Sequence, residues 1–231
     1  MSIDPIRNLL ELGHEISAIP LFRMPKDMKK VCFICLNTPI AFERKLGVEP
    51  LSYSVHMAKT MKKIGYSIYI LQNPHSRNLM EYLAPFLEQT LEKLVFFYAG
   101  QQNHKMTPET HFQFDDGKIE AEKFIRFINE KKNPQNKVIL ISDFSHKGSV
   151  FDIYSFSNLS PGICSISTFP LNDKVINGNG IFVSRLCQCL LDDFGITFAQ
   201  LSEKMKNSMK KFSQYVQIGS SSNEILIENF L

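Results

Sequence analysis

Lys137-Val-Ile-Leu-Ile-Ser-Asp-Phe-Ser-His-Lys-Gly148 is the stretch whose reading decides the fold. Val138–Ser142 are apolar or small, and they run straight into Asp143, Phe144, Ser145 and His146. A short apolar run that stops at polar residues reads as a buried parallel strand whose C-terminal end opens onto a loop. Leu94-Val-Phe-Phe-Tyr-Ala-Gly100, followed by Gln101, Gln102, Asn103 and His104, has the same shape. In open α/β sheets the carboxyl ends of such strands are where binding and chemistry sit.

Working outward, further runs alternate with amphipathic stretches. Val31–Leu36 reads as a first strand and Leu51–Ile64 as a helix closed by Gly65. Tyr66–Leu71 reads as a second strand and Arg77–Lys93 as a helix. The loop 101–118 is polar. A helix at Glu120–Lys132, a strand at Ile163–Ser167, and helices at Ile181–Phe194 and Phe198–Tyr215 follow. Glu224–Phe230 reads as the terminal strand. Six strands with helices between them predict an α/β sandwich with right-handed crossovers. Residues 3–19 carry apolar side chains near helical spacing, ended by Pro20 and Pro25. Residues 1–29 therefore read as an N-terminal helix and linker, and 30–231 as the main domain.

Length, charge and cysteine usage narrow the function classes. A chain of 231 residues can bury one sizeable core. A net charge of +3 gives no support to nucleic-acid binding. No apolar run approaches the roughly 18 residues of a membrane span, and Met1–Glu15 lacks the apolar core of a secretory signal. Five cysteines, an odd number, point to reduced thiols and a cytoplasmic setting. Cys32 and Cys35 stand three apart in a strand, so they point to opposite faces and read as core thiols, not a metal pair. Asp115-Asp116 alone makes no calcium site. No cofactor and no metal are expected.

The two strand ends together resemble the caspase-like cysteine peptidases (caspases, metacaspases and paracaspases). There the first strand ends in a pattern like Phe-Tyr-Ala-Gly-His-Gly and the second in one like Asp-x-Cys-His-x-Gly. Tyr98, Ala99 and Gly100 match the first; Asp143, His146 and Gly148 match the second. Gln101 stands where the family has its general base, and Ser145 where it has its nucleophile. Gln102 stands where a Gly would present its N–H to the oxyanion. The resemblance implies a caspase-like three-layer sandwich, a six-stranded mostly parallel sheet with helices on both faces. It also implies a substrate pocket of which Asp143, Gly100, Gln102, His146, Ser165 and Ser167 are the remnant.

The chemistry implied by the two replacements is poor. A cysteine ionises near neutral pH with a modest push, whereas a serine hydroxyl needs a base within hydrogen-bond reach. Gln101 has no titratable nitrogen. His104, three residues on, and His146, beside Ser145, are the groups that could stand in as base. The expected role is a catalytically inactive domain that binds a protein partner, an active relative among the candidates. The alternative is a residual serine-type hydrolase. A terminal strand at Glu224–Phe230 would permit homodimer pairing, as in caspases, with Glu224 and Glu228 guarding that edge.

Overall fold

The structure is a computed structural model and describes residues 5–20, 23–38, 49–100, 111–143, 158–170, 180–212 and 214–230, together with Phe151, Ile153 and Phe156. Its strands are β1 (His14–Glu15), β2 (Met28–Asn37), β3 (Ser67–Gln72), β4 (Thr90–Gly100), β5 (His111–Phe114), β6 (Gly117–Glu120), β7 (Lys137–Asp143), β8 (Ile163–Pro170) and β9 (Gln214–Ser220). Its helices are α1 (Pro5–Leu12), α2 (Glu49–Lys63), α3 (Ser76–Gln89), α4 (Ala121–Lys131), α5 (Ile181–Asp192), α6 (Phe198–Met209) and α7 (Glu224–Ile227).

Seven strands form one sheet in the order β1-β3-β2-β4-β7-β8-β9. Every neighbouring pair is parallel except β8 with β9. Helices cover both faces, so the molecule is an α/β three-layer sandwich with a mostly parallel sheet. The sheet holds seven strands where six are expected, because His14–Glu15 adds a short strand beside β3.

Right-handed crossovers explain which helix covers which face. The chain passes from β2 to β3 in one direction and carries α2 on one face. It then returns across β2 to β4, which puts α3 on the other. Leu51, Met57, Ala58 and Met61 of α2 accordingly share a core with α5 and α6. Leu79, Leu83, Phe86 and Leu87 of α3 share the second core with Phe124, Ile125 and Ile128 of α4. Cys32 lies in the first core and Cys35 in the second, as their spacing predicts. The second core is built on rings: Phe33, Phe86, Phe96, Phe112, Phe114, Phe124 and Phe151 are all buried there.

Several boundaries differ from the sequence reading for identifiable reasons. The N-terminal helix stops at Leu12 because Gly13 passes so close to β3 that a Cβ would lie 2.7 Å from the Ile68 side chain. The helix expected to Lys93 yields at Thr90, which pairs with Met28 and starts β4. The loop expected at 101–118 contains the β5–β6 hairpin, turned at Asp115–Gly117. Asp116 pins that turn to the start of α3: its carboxylate accepts from the Ser76 N–H at 2.7 Å and from the Ser76 hydroxyl at 3.1 Å. Partial burial pulls the Asp116 pKa up, but these two bonds outweigh it and hold the group below its usual range. Asp116 is thereby committed to a structural cap.

The C-terminus needs a larger correction. The helix expected to Tyr215 ends at Met209 with a further turn at Lys210–Phe212, and the terminal strand is Gln214–Ser220. Glu224–Phe230, expected as that strand, instead begins with the helical turn α7. Burial shows why. Ile225 is 6% exposed and Ile227 is 76% exposed, although a strand would place both on one face. The segment is held by Phe230, whose ring stacks on Phe198 at 5.6 Å, and by the Phe230 N–H, which donates to the Ile196 carbonyl.

Candidate functional site

The point where strand order reverses lies between β2 and β4, and the crevice outside their carboxyl ends is where open α/β sheets hold ligands. The register sets out that edge strand by strand. Asn37 pairs with Gly100, Tyr98 with Ser142, Ser142 with Ser167, and Asp143 with Thr168. The strands that lead into Gln101 and into Ser145 are therefore nearest neighbours, parallel, and end at the same edge. Gln101, Gln102, His104, Ser145 and His146 themselves lie outside the described residues, as does the side chain of Asp143.

Asn37 organises the described part of the site. Its side-chain amide donates to the Tyr98 hydroxyl at 2.9 Å and to the Gln113 carbonyl of β5. One buried amide thus ties the end of β2 to the end of β4 and to the hairpin. Burial, foremost, and the nearby Cys35 push the Tyr98 ionisation far above its ordinary range, and the Asn37 bond offsets little of that. The phenol is a fixed neutral post. Beside it, Asn73 orders the next residue of β2's exit: its carbonyl oxygen accepts from the Thr38 N–H at 2.7 Å. Neither Asn37 nor Asn73 is among the residues the sequence reading selects. The signal was present for Asn37, since it ends an apolar run as Gln101 and Asp143 do.

Gly100 is required by close approach. A Cβ there would lie 2.7 Å from the Asn37 carbonyl and 2.8 Å from the Tyr98 ring and hydroxyl. Gly100→Ala should cost about 1–3 kcal/mol by overpacking. It should also loosen the β5–β6 hairpin, because the atoms that must shift are those that hold it. Urea unfolding checks the first effect and faster amide exchange in 111–120 checks the second.

Ser165 and Ser167 are 1% and 0% exposed. They share a sheet face with Leu140 and Ser142, their register partners. The hydroxyls of Ser142, Ser165 and Thr168 are buried with no hydrogen-bond partner among the described residues. A buried hydroxyl left unpaired costs about 1–3 kcal/mol, so unspent capacity is concentrated where β7 and β8 approach the edge. Gly219 of β9 passes close behind: a Cβ there would stand 2.9 Å from the Ser165 hydroxyl.

Among the described residues no cysteine is set up as a nucleophile. Cys32, Cys35, Cys164 and Cys187 are buried, and burial pushes each thiol up, Cys187 to about 11 and the others beyond. Cys189, half-buried on α5, is also raised by burial. A thiol raised this way is inert as a nucleophile. The described residues contain no group of three or more His, Cys, Asp or Glu side chains able to hold a metal, and no helix among them is long and apolar enough to cross a membrane.

No family model matches the chain, and no curated protein matches it. It is similar to a solved structure, protein GSU0716 from Geobacter sulfurreducens, with a TM-score of 0.62 at 12% identity over 87% of this chain and 98% of that one. At that identity the likeness carries the fold alone.

Proposed function

We propose that this chain is a catalytically inactive caspase-like domain that acts by binding protein, an active relative being among the candidate partners. The observation that carries the reading is the pair of replacements, Gln101 for the base and Ser145 for the nucleophile. They follow two strands that the sheet sets side by side. The loss is compounded, since the weaker nucleophile has the greater need of a base. In a well-studied triad on another fold, removing nucleophile or base alone costs on the order of 10⁶ in rate. The inert state of every cysteine supports the same reading.

On this reading Asp143, Gly100, Gln102, His146, Ser165 and Ser167 are remnants of a substrate cleft, and the setting is the reducing cytoplasm. Pairing of two copies would use the free edge of β9, which is hydrogen-bonded on one side only among the described strands.

The wild-type chain should show no turnover of Arg, Lys or Asp peptides at any pH. The double replacement Gln101→His with Ser145→Cys should bring measurable, thiol-dependent cleavage. Wild-type turnover that disappears in Ser145→Ala, together with fluorophosphonate labelling at Ser145, would overturn the reading. It would favour a serine-type hydrolase with His104 or His146 as base.

A further inference from the structure

At the opposite, amino-terminal edge of the sheet, three lysines stand in one row. Lys30 of β2 pairs in register with Lys93 of β4, and Lys93 with Lys137 of β7. Adjacent strands lie about 4.8 Å apart, so three cations crowd one short line. The outer two have outlets. Lys137 pairs with Glu228, and the Lys30 ammonium lies over the Tyr66 ring, 5.9 Å from its centroid. Lys93, between them and half-buried, donates to the Asn229 carbonyl at 2.7 Å. The Tyr66 hydroxyl is buried beside this row without a hydrogen-bond partner among the described residues. Lys30 lies over the Tyr66 ring and is the register partner of Lys93, so the phenol borders the row on its β3 side.

We propose that Lys93 is a carbon dioxide acceptor, forming a carbamate held between Lys30 and Lys137. The amine lone pair forms the C–N bond, one C=O pair moves onto oxygen, and one amine proton passes to water, giving R–NH–COO⁻ and H⁺. Nothing is oxidised or reduced. The change reverses the middle charge, so a row of like charges becomes alternating. The nitrogen keeps one N–H for the Asn229 carbonyl.

The reaction needs free amine. Burial, first, and then Lys137 and Lys30 lower the Lys93 pKa to about 8, against the weaker opposing pull of Cys164 and Glu92. Half of it is then neutral near pH 8, where an ordinary surface lysine is almost wholly charged. The carboxylates that oppose the product are Glu92, which is exposed, and Glu228, which Lys137 already engages.

The test uses the full chain in ¹³C-bicarbonate, with carbamates trapped by ethyl transfer and located by mass spectrometry. Lys93 should be the dominant trapped lysine. Its occupancy should rise at least several-fold between pH 7 and pH 8.5 at fixed dissolved carbon dioxide. A ¹³C carbamate resonance should vanish in Lys93→Arg. Lys30→Met and Lys137→Met should each lower the occupancy several-fold. Localisation in the unmutated chain keeps the test sound if Lys93→Arg does not fold. Trapping confined to the N-terminal amine, or spread evenly over surface lysines, would overturn the proposal.

Discussion

Phe96→Ala should lower stability by about 3–5 kcal/mol, with the urea m-value unchanged. Phe96 is fully buried in β4, between β2 and β7, opposite Phe33 and Leu140. Its ring meets those of Phe124 at 5.1 Å, Phe33 at 5.8 Å and Phe151 at 6.1 Å. Those partners are themselves locked: Phe112 lies 5.0 Å from Phe124 and 5.6 Å from Phe151. A cavity at 96 therefore cannot close by the drift of one neighbour, which puts the cost at the upper end of the usual range. Ile227→Ala removes a side chain that is 76% exposed and should stay within about 0.5 kcal/mol of wild type. A Phe96→Ala chain that loses less than 1.5 kcal/mol would mean that the ring cluster is not the rigid body described.

Alkaline pH should unfold the chain steeply under reducing conditions. The thiols of Cys32, Cys35, Cys164 and Cys187 are raised above the ordinary value of 9.0, chiefly by burial. The folded chain keeps these protons where the unfolded chain releases them. Stability is therefore intact below pH 9 and falls as pH climbs, by about 1.4 kcal/mol per pH unit for each thiol. Cys187 stops contributing to the slope at about 11. Lys93 acts with the opposite sign. Its pKa is lowered to about 8 from 10.5, so it adds stability as pH rises across that window. One lysine offsets about one thiol, and the remaining thiols, with Tyr66 and Tyr98 also raised by burial, decide the outcome. Against the roughly 5–15 kcal/mol of an ordinary domain, the fold should be lost within a few pH units above 9. Circular dichroism against pH measures it, and Cys32→Val should move the midpoint upward. A stability that stays flat through pH 11 would contradict the buried-thiol account.

The central sheet was legible because its strands are covered on both faces. Val31–Leu36, Leu94–Tyr98 and Val138–Ser142 are continuous apolar runs, and a strand with no solvent face leaves little else for such a run to be. β9 was missed because it lies at an edge and reads as Gln-Tyr-Val-Gln-Ile-Gly-Ser, a half-polar pattern that blurs into the lysine-rich helix before it. Ile225, Leu226 and Ile227 look like a strand, yet the stacking of Phe230 on Phe198 and the hold of Lys93 and Lys137 on Asn229 and Glu228 decide their path. The hairpin did carry its signal, the turn Asp115-Asp116 followed by Gly117, with alternation over His111–Phe114 and Gly117–Glu120 on either side. At the candidate site, the pairing of the two strand ends was visible in sequence. The Asn37–Tyr98–Gln113 link was not, because it joins three residues far apart in the chain that only the completed register brings within reach.

That link has a consequence for how the chain can change over evolutionary time. β4 ends at Gly100 and β5 begins at His111, and the rings of Tyr98 and Phe112, just inside those two points, stand 4.8 Å apart. Both ends of the connection between them are thus anchored by the same amide, whatever its length. Doubling the length of a connection between two fixed ends costs only about 0.6 kcal/mol in closure entropy. Descendants could lengthen or rewrite the sequence after Gly100 and acquire new binding preferences, with the aromatic core beneath untouched.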